Sequence, residues 1–169
     1  VKERLGGNIR FFVSGGAPLS KEVAEFFSYL NITILEGYGL TETSPVLTSN
    51  TEKDLKFGTV GKPIFNVEIK IAEDGEILAK GPNIMKGYLN PEPNEAFQKL
   101  DGWYDTGDIV TVDEDRYITI LGRAKRFAKI SGEMVSLSAV EAAVRAVVDD
   151  PNIPLMAVSL PDANKGERI

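Results

Sequence analysis

The apolar residues change their spacing partway along the chain, and that change limits the fold more than any single motif does. Up to about residue 48 they come as continuous runs around one helical stretch. Ile9 to Val13 is a run, Ser14-Gly15-Gly16-Ala17-Pro18 breaks it, Val23, Phe26, Phe27 and Leu30 follow at helical spacing behind Ser20 as N-cap, and Ile32 to Leu35 is a second run. Two such runs around a helix predict a buried parallel pair in an α/β layer. From about Phe57 the pattern alternates, with Val67, Ile69 and Ile71 interleaved by Glu68 and Lys70 and turns at Asp74-Gly75 and Asp113-Glu114. That predicts an antiparallel, barrel-like stretch whose last strand is Tyr117 to Leu121. After Gly122 the sequence predicts a strand-turn-strand from Phe127 to Val135, turning near Gly132. A helix follows with a Ser138/Glu141 capping box, an apolar face of Val140, Ala143, Val144 and Val147, and a stop at Pro151; Leu155 to Leu160 reads as another strand. The expected class is α+β: an α/β element over 1–48, a β-barrel-like subdomain over 49–122, and the start of a small α+β C-terminal domain over 123–169.

Composition narrows the chemistry. The 169 residues contain no cysteine and no histidine, which removes disulfides, thiolate metal sites, a thiol nucleophile and the usual general base near neutral pH. Carboxylates, lysine, arginine, hydroxyls and backbone amides remain, a set suited to phosphates and nucleotides. The net charge is −6, and from Ser49 to Leu121 there are 14 acidic against 8 basic residues. That acidic middle argues against a nucleic-acid partner, which needs a basic stripe. Arg123, Lys125, Arg126 and Lys129 nevertheless form a basic cluster without an intervening acid. No apolar run approaches the roughly 20 residues of a membrane span, and Val1-Lys2-Glu3-Arg4 does not read as a signal peptide. A cytoplasmic location is therefore expected.

Loops after the carboxyl ends of parallel strands bind ligands in α/β layers, and the glycine-rich stretches 14–18 and 37–44 are expected there. In Glu36-Gly37-Tyr38-Gly39-Leu40-Thr41-Glu42 the glycines would let backbone approach a phosphate, and Thr41 would donate to a phosphate oxygen. Glu42 would hold Mg2+, and Tyr38 would offer a flat face to a base.

The string Tyr38-Gly39-Leu40-Thr41-Glu42 resembles the YGxTE motif of the adenylate-forming superfamily, which includes acyl-CoA synthetases, beetle luciferases and peptide-synthetase adenylation domains. Other resemblances follow in the family's order: Ser14-Gly15-Gly16-Ala17-Pro18-Leu19; Gly75-Glu76-Ile77-Leu78 with Gly81 and Gly87-Tyr88; Tyr104-Asp105-Thr106-Gly107-Asp108; and Gly122-Arg123 through Lys129 and Gly132. The resemblance implies ATP/AMP and Mg2+ as cofactors. It implies nucleotide binding by Gly16, Ala17, Pro18, Tyr38, Gly39, Thr41, Asp108 and Arg123, with Gly16-Ala17-Pro18 and Tyr38 on opposite faces of adenine. Thr41, Glu42 and Lys129 are implied as catalytic, Glu42 as the metal ligand, and Lys125 as the hinge of a mobile C-terminal domain. Gly87 and Tyr88 are expected to be structural.

Within the family, Asn83 to Leu89 and Gly122 to Leu137 look most like the acyl-acyl-carrier-protein synthetase half of the bacterial bifunctional enzyme that reacylates 2-acylglycerophosphoethanolamine. This implies a fatty acid and an acyl carrier protein as partners, in phospholipid reacylation at the cytoplasmic face of the inner membrane. The basic cluster suits an acidic carrier protein and equally the phosphates of coenzyme A. A long-chain fatty acid–CoA ligase is the alternative, and a non-catalytic nucleotide-binding or interaction module is an alternative of another class. The family's phosphate loop and C-terminal catalytic lysine have no counterpart here, so the chain is expected to be a fragment, inactive alone.

Overall fold

The computed structural model describes residues 2–148 and 153–169. The chain forms two compact units, Val1–Thr106 with Val110–Leu121, and Gly107–Ile109 with Gly122–Ile169.

In the first unit, β1 (Phe11–Ser14), α1 (Lys21–Tyr29) and β2 (Thr33–Gly39) form the expected strand-helix-strand, and β1 and β2 pair in parallel with Ser14 opposite Glu36. Ser20 caps α1 as anticipated, its Oγ accepting from Val23 N at 3.2 Å. β2 then pairs antiparallel with β3 (Val46–Ser49), and β3 with β4 (Lys62–Pro63), in the order β1-β2-β3-β4. Burial of the parallel pair is uneven: Leu35 and Glu36 of β2 are buried, whereas β1 is exposed over Phe11 to Val13. β1 is the edge strand, α1 buries only Ala24, and Val13 is 71% and Tyr29 82% exposed.

The alternating stretch folds as β5 (Glu68–Ile71), β6 (Glu76–Lys80), β7 (Tyr104–Val112) and β8 (Ile118–Arg123), in that order within one open sheet, with α2 (Pro91–Gln98) inserted before β7. Barrel-like therefore becomes an open four-stranded sheet. β5 and β6 are antiparallel, and their turn closes through Gly75 N to Ala72 O at 3.0 Å and Glu76 N to Asp74 Oδ1 at 3.1 Å. Two apolar clusters hold the unit: Leu47, Val67 and Ala79 in one, Ile77, Val110 and Ile118 in the other, with Tyr38 and Ile69 packed against both. Full burial of side chains such as Ile77 and Ile118 stabilises by about 1.5–3 kcal/mol each.

Polar groups fix the link from β3 to β4. Buried Asn50 donates to Thr59 O at 2.7 Å and accepts from Lys56 N at 3.0 Å, and Thr48 Oγ1 donates to Val60 O at 2.7 Å. Tyr117 is buried, its Oη donates to Asp54 at 2.5 Å, and Lys62 lies 4.4 Å and Lys56 5.4 Å from the centre of its ring. The bond to Asp54 and burial push the Tyr117 phenol up to about 12.

In the second unit, β9 (Phe127–Ile130) and β10 (Glu133–Ser136) form the expected hairpin, turning through Ser131 at φ 52° and Gly132 at φ 93°. Two positive φ values in a two-residue loop match the right-handed twist of the flanking strands. α3 (Leu137–Arg145) is capped by Ser136, whose Oγ accepts from Ala139 N at 3.2 Å, rather than by Ser138. Glu141 is spent elsewhere: it accepts from Arg126 at 2.6 Å and from Ala157 N at 2.7 Å. The helix accordingly buries Leu137 and half-buries Val140 and Glu141, whereas Ala143, Val144 and Val147 of the expected face are exposed. The anticipated stop at Pro151 lies outside the described residues.

β11 (Leu160–Asp162) and β12 (Gly166–Arg168) complete an antiparallel sheet of order β10-β9-β12-β11. The predicted strand from Leu155 does not form before Leu160. Both backbone groups of Ala157 are taken by side chains, its N–H by Glu141 and its carbonyl by Arg126 at 3.3 Å, so neither enters a ladder.

Candidate functional site

The glycine-rich stretch that reads as a loop is largely strand. Gly37, Tyr38 and Gly39 belong to β2 and lie opposite Ser49, Thr48 and Val46 of β3, with a register shift between Tyr38 and Gly39. Their glycines answer to neighbouring backbone: a Cβ on Gly39 would lie 1.7 Å from Pro45 O, and one on Gly37 3.3 Å from Thr48 O. The turn proper is Thr41–Thr43, after which Ser44 at φ 53° sends the chain back into β3. Buried Thr43 staples it, accepting from Leu40 N at 2.9 Å and donating to Pro45 O at 2.5 Å. Thr41 is exposed and Glu42 half-buried at the tip.

The register of the parallel pair sets the residues after β1 beside this stretch, since a Cβ on Gly15 would lie 3.3 Å from Gly37 O. Gly16 continues at φ 79° with open space around it, while Ala17 and Pro18 follow in an irregular segment. The Tyr38 ring is half-buried against both apolar clusters, so core packing fixes where it stands. Glu36 is buried beside it, and burial pushes its carboxyl above the ordinary carboxylate range, partly offset by a hydrogen bond from the Gly58 backbone.

A second segment grips the turn from across the unit. Asn83 Nδ2 donates to Thr43 O at 2.9 Å and to Val46 O at 2.7 Å, Met85 N donates to Glu42 O at 2.8 Å, and Tyr88 Oη donates to Glu42 Oε1 at 3.2 Å. The Tyr88 hydroxyl also meets that of Tyr104 at 3.2 Å. Asn83 and the Tyr88 hydroxyl were missed as site residues. Tyr88 stands 46 residues from Glu42 and Asn83 40 from Thr43, beyond any local pattern; the motif from Gly75 to Gly87-Tyr88 was the available signal.

Among the described residues no three His, Cys, Asp or Glu side chains gather as for an all-protein metal centre. A single carboxylate still suits Mg2+, which takes one or two protein carboxylates and completes its octahedron with water and substrate phosphates. Glu42 is the group in this turn that fits.

Four further predicted residues fall in the second unit. Asp108, within β7, is buried and accepts an ion pair from Arg123 Nε at 3.0 Å; the guanidinium is itself about half exposed. Two of the eight residues predicted for the nucleotide thus meet each other. Lys125 lies in the short turn between β8 and β9, and Lys129 in β9; both are exposed, and neither side chain forms an ion pair among the described residues. The basic cluster is smaller than its sequence suggests, because Arg123 is paired with Asp108 and Arg126 with Glu141.

The sequence profile of the family described as AMP-binding enzyme matches residues 1–89. Long-chain-fatty-acid–CoA ligase FadD15 of Mycobacterium bovis is 44% identical over 132 residues, which cover 78% of this chain and 22% of that protein. The crystal structure of ATP-bound MatB from Rhodopseudomonas palustris is 31% identical with a TM-score of 0.74, covering 97% of this chain and 35% of that one. The o-succinylbenzoate CoA synthetase MenE from Bacillus subtilis, in complex with its acyl-adenylate intermediate, is 31% identical with a TM-score of 0.76, covering 94% and 35%. The chain spans between about a fifth and about a third of the length of these proteins. With a profile match over more than half of its residues and a mixed α+β fold shared with these enzymes, the chain belongs to the AMP-binding, adenylate-forming family.

Proposed function

We propose that the chain is part of an ATP-dependent ligase that joins a fatty acid to the thiol of coenzyme A through an acyl-adenylate. The observation that carries this reading is the Thr41-Glu42 turn, presented at the end of β2 and held by hydrogen bonds from Asn83, Met85 and Tyr88. The fatty-acid substrate is suggested by the name of the mycobacterial relative.

In the first half-reaction an oxygen of the fatty acid carboxylate attacks the α-phosphorus of ATP, and the bond to pyrophosphate breaks. In the second the thiolate attacks the acyl carbon, and AMP leaves with the bonding electrons. Two anions must meet in the first step, so orientation and donors aimed at the phosphates carry much of the burden. The exposed Thr41 hydroxyl donates to a phosphate oxygen. Glu42 would hold Mg2+, which would supply positive charge against the leaving phosphates. In this reading the Tyr38 ring, Gly39 and the Gly16-Ala17-Pro18 segment receive the adenine, and Asp108, paired with Arg123, receives the ribose hydroxyls. We assign residues 1–48 and 49–122 to nucleotide handling, and 123–169 to a domain that turns about Lys125 and brings Lys129 into the thioester-forming step.

Acyl carrier protein is a second acceptor, favoured by one observation: Lys125 and Lys129 are both exposed and outside the ion pairs of the cluster, as recognition of an acidic carrier requires. Under that reading the ligase serves phospholipid reacylation at the membrane face. Among the described residues no helix is long and apolar enough to cross a membrane.

The test is ATP–pyrophosphate exchange by the full-length protein with a long-chain fatty acid, followed by transfer to coenzyme A and to acyl carrier protein in parallel. Exchange dependent on fatty acid, lost in Asp108→Ala, is expected, with thioester formed on coenzyme A. Transfer to carrier protein alone, weakened in a Lys125/Lys129→Ala double variant, selects the second acceptor. Nucleotide binding without exchange under any acid would leave a binding module and overturn the ligase.

A further inference from the structure

We propose that Tyr88, backed by Tyr104, is a positioning residue for the metal-binding carboxylate, and that the segment from Asn83 to Tyr88 is the clamp that sets the geometry of the phosphate turn. This rests on the reading that Glu42 takes the divalent cation.

A carboxylate can only accept, so the Tyr88 hydroxyl spends its one hydrogen on Glu42 Oε1, and Tyr104 donates in the 3.2 Å contact between the two phenols. The result is a directed chain from Tyr104 to Tyr88 to Glu42, in which each bond polarises the next. Tyr104 is buried on β7 and its ring lies 6.2 Å from that of Phe97 on α2, so the chain is anchored in the packed part of the unit.

The clamp also controls the backbone under the carboxylate. Met85 N holds the Glu42 carbonyl, and Asn83 holds the carbonyls of Thr43 and Val46 on the return side of the turn. Glu42 is thereby fixed through both backbone and side chain by one segment. A Cβ on Gly87 would lie 2.2 Å from Asn94 Oδ1, while that same oxygen accepts from Tyr88 N at 3.1 Å. Gly87 therefore permits the approach that aims Tyr88 at its target. The Gly87-Tyr88 pair, expected to be structural alone, delivers a hydroxyl to the metal ligand.

A partner that orients a metal ligand typically changes metal affinity by roughly 10–100-fold when removed. The experiment is Mn2+ binding to the full-length protein, read by electron paramagnetic resonance in the presence of a non-reacting ATP analogue, for the unaltered protein and for Tyr88→Phe, Tyr104→Phe and Glu42→Gln. Tyr88→Phe keeps the ring and removes only the hydroxyl. It is expected to weaken Mn2+ binding about tenfold, to leave metal-free analogue binding unchanged, and to lose exchange activity that excess Mg2+ restores. A purely structural role would instead reduce nucleotide binding and activity at every metal concentration. Unchanged Mn2+ binding in Tyr88→Phe, with Glu42→Gln weakened, overturns the positioning role and leaves the assignment of Glu42 standing. Unchanged binding in Glu42→Gln overturns that assignment and the inference with it. Should Tyr88→Phe fail to fold, Tyr104→Phe carries the test with a smaller expected loss than the roughly tenfold of Tyr88→Phe, and no loss there overturns the relay.

Discussion

The turn that follows β2 and the turn between β9 and β10 both depend on glycine, for opposite reasons. Gly39 has an ordinary φ but no room, since its would-be Cβ falls 1.7 Å from the carbonyl oxygen of Pro45. Gly132 has room in every direction but sits at φ 93°. The first glycine is required by another part of the chain, the second by its own dihedral angle. The same contrast runs through the surroundings. The Thr41–Thr43 turn is stapled by buried Thr43 and gripped by Asn83, Met85 and Tyr88. Among the described residues the Ser131-Gly132 turn makes one hydrogen bond beyond its hairpin, Ser131 N–H donating to Lys165 O at 2.8 Å. Distant chain specifies one turn and local geometry the other.

Alanine at each glycine gives the largest expected effect and tests the contrast directly. Gly39→Ala drives a methyl into backbone that cannot rotate away, and the cost is expected to reach about 3 kcal/mol or more. Gly132→Ala meets only left-handed backbone strain, about 1–2 kcal/mol. Denaturant midpoints of the two variants decide the matter; equal losses would mean that the turn after β2 relaxes as easily as the hairpin.

Thr43→Val is next, because valine keeps the shape and removes the oxygen that serves Leu40 N and Pro45 O. Leaving those part-buried groups without that partner is expected to cost about 1–3 kcal/mol. Stability retained to within 0.5 kcal/mol, roughly the level of an ordinary surface substitution, would show that the turn is held by the clamp without its internal staple.

The contrast also marks what could be read from sequence. The parallel pair around α1, the alternating β5 and β6, and the β9–β10 hairpin were legible, since each is written in neighbouring residues. Three things were not. Gly37–Gly39 read as a loop, because glycine permits close approach without stating what approaches, and it lies in β2 against β3. The strand anticipated at Leu155 lost Ala157 to Glu141 and Arg126. Tyr88 reaches Glu42 across 46 residues, and its neighbours along the chain carry no trace of that contact. Of the predicted site residues, Thr41 with Glu42 and Asp108 with Arg123 come together within their own units, the latter by pairing with each other.

Glu36 carries the comparison to charge. It lies in β2 just before Gly37, buried, with its carboxyl raised above the ordinary 4.5 chiefly by burial. A carboxyl raised in the folded state stabilises fully below its unfolded value and loses that contribution as pH climbs through the folded one. At neutral pH the ionised form is thus a burden, and Glu36→Gln, which still accepts from Gly58 N, is expected to be more stable than the unaltered chain at pH 7. The difference should close on acidification. A variant less stable at pH 7 would show that the bond from Gly58 outweighs the cost of burial.

Glu141 in the second unit should behave in the opposite way, and with the smallest effect. Its carboxyl is held below the ordinary 4.5, first by the hydrogen bond from Arg126 and then by that from Ala157 N. A carboxyl lowered in the folded state contributes stability above its unfolded value and surrenders it as pH falls through the folded one. The groups are solvent-screened, which keeps the contribution modest. Yet Glu141 and Arg126 also hold both backbone groups of Ala157, so protonation is expected to free the segment leading into β11 before the β9–β10 hairpin responds. Hydrogen-exchange protection of Ala157 N–H is the sensitive readout: protection is lost as pH falls below the ordinary glutamate range, a loss absent in Glu141→Gln because that variant has no charge left to lose, while the Ile130–Glu133 pair of the hairpin stays protected. If the hairpin amides open together with Ala157 over the same pH range, the second unit unfolds as one body, and its turn depends on distant chain as much as the turn after β2 does.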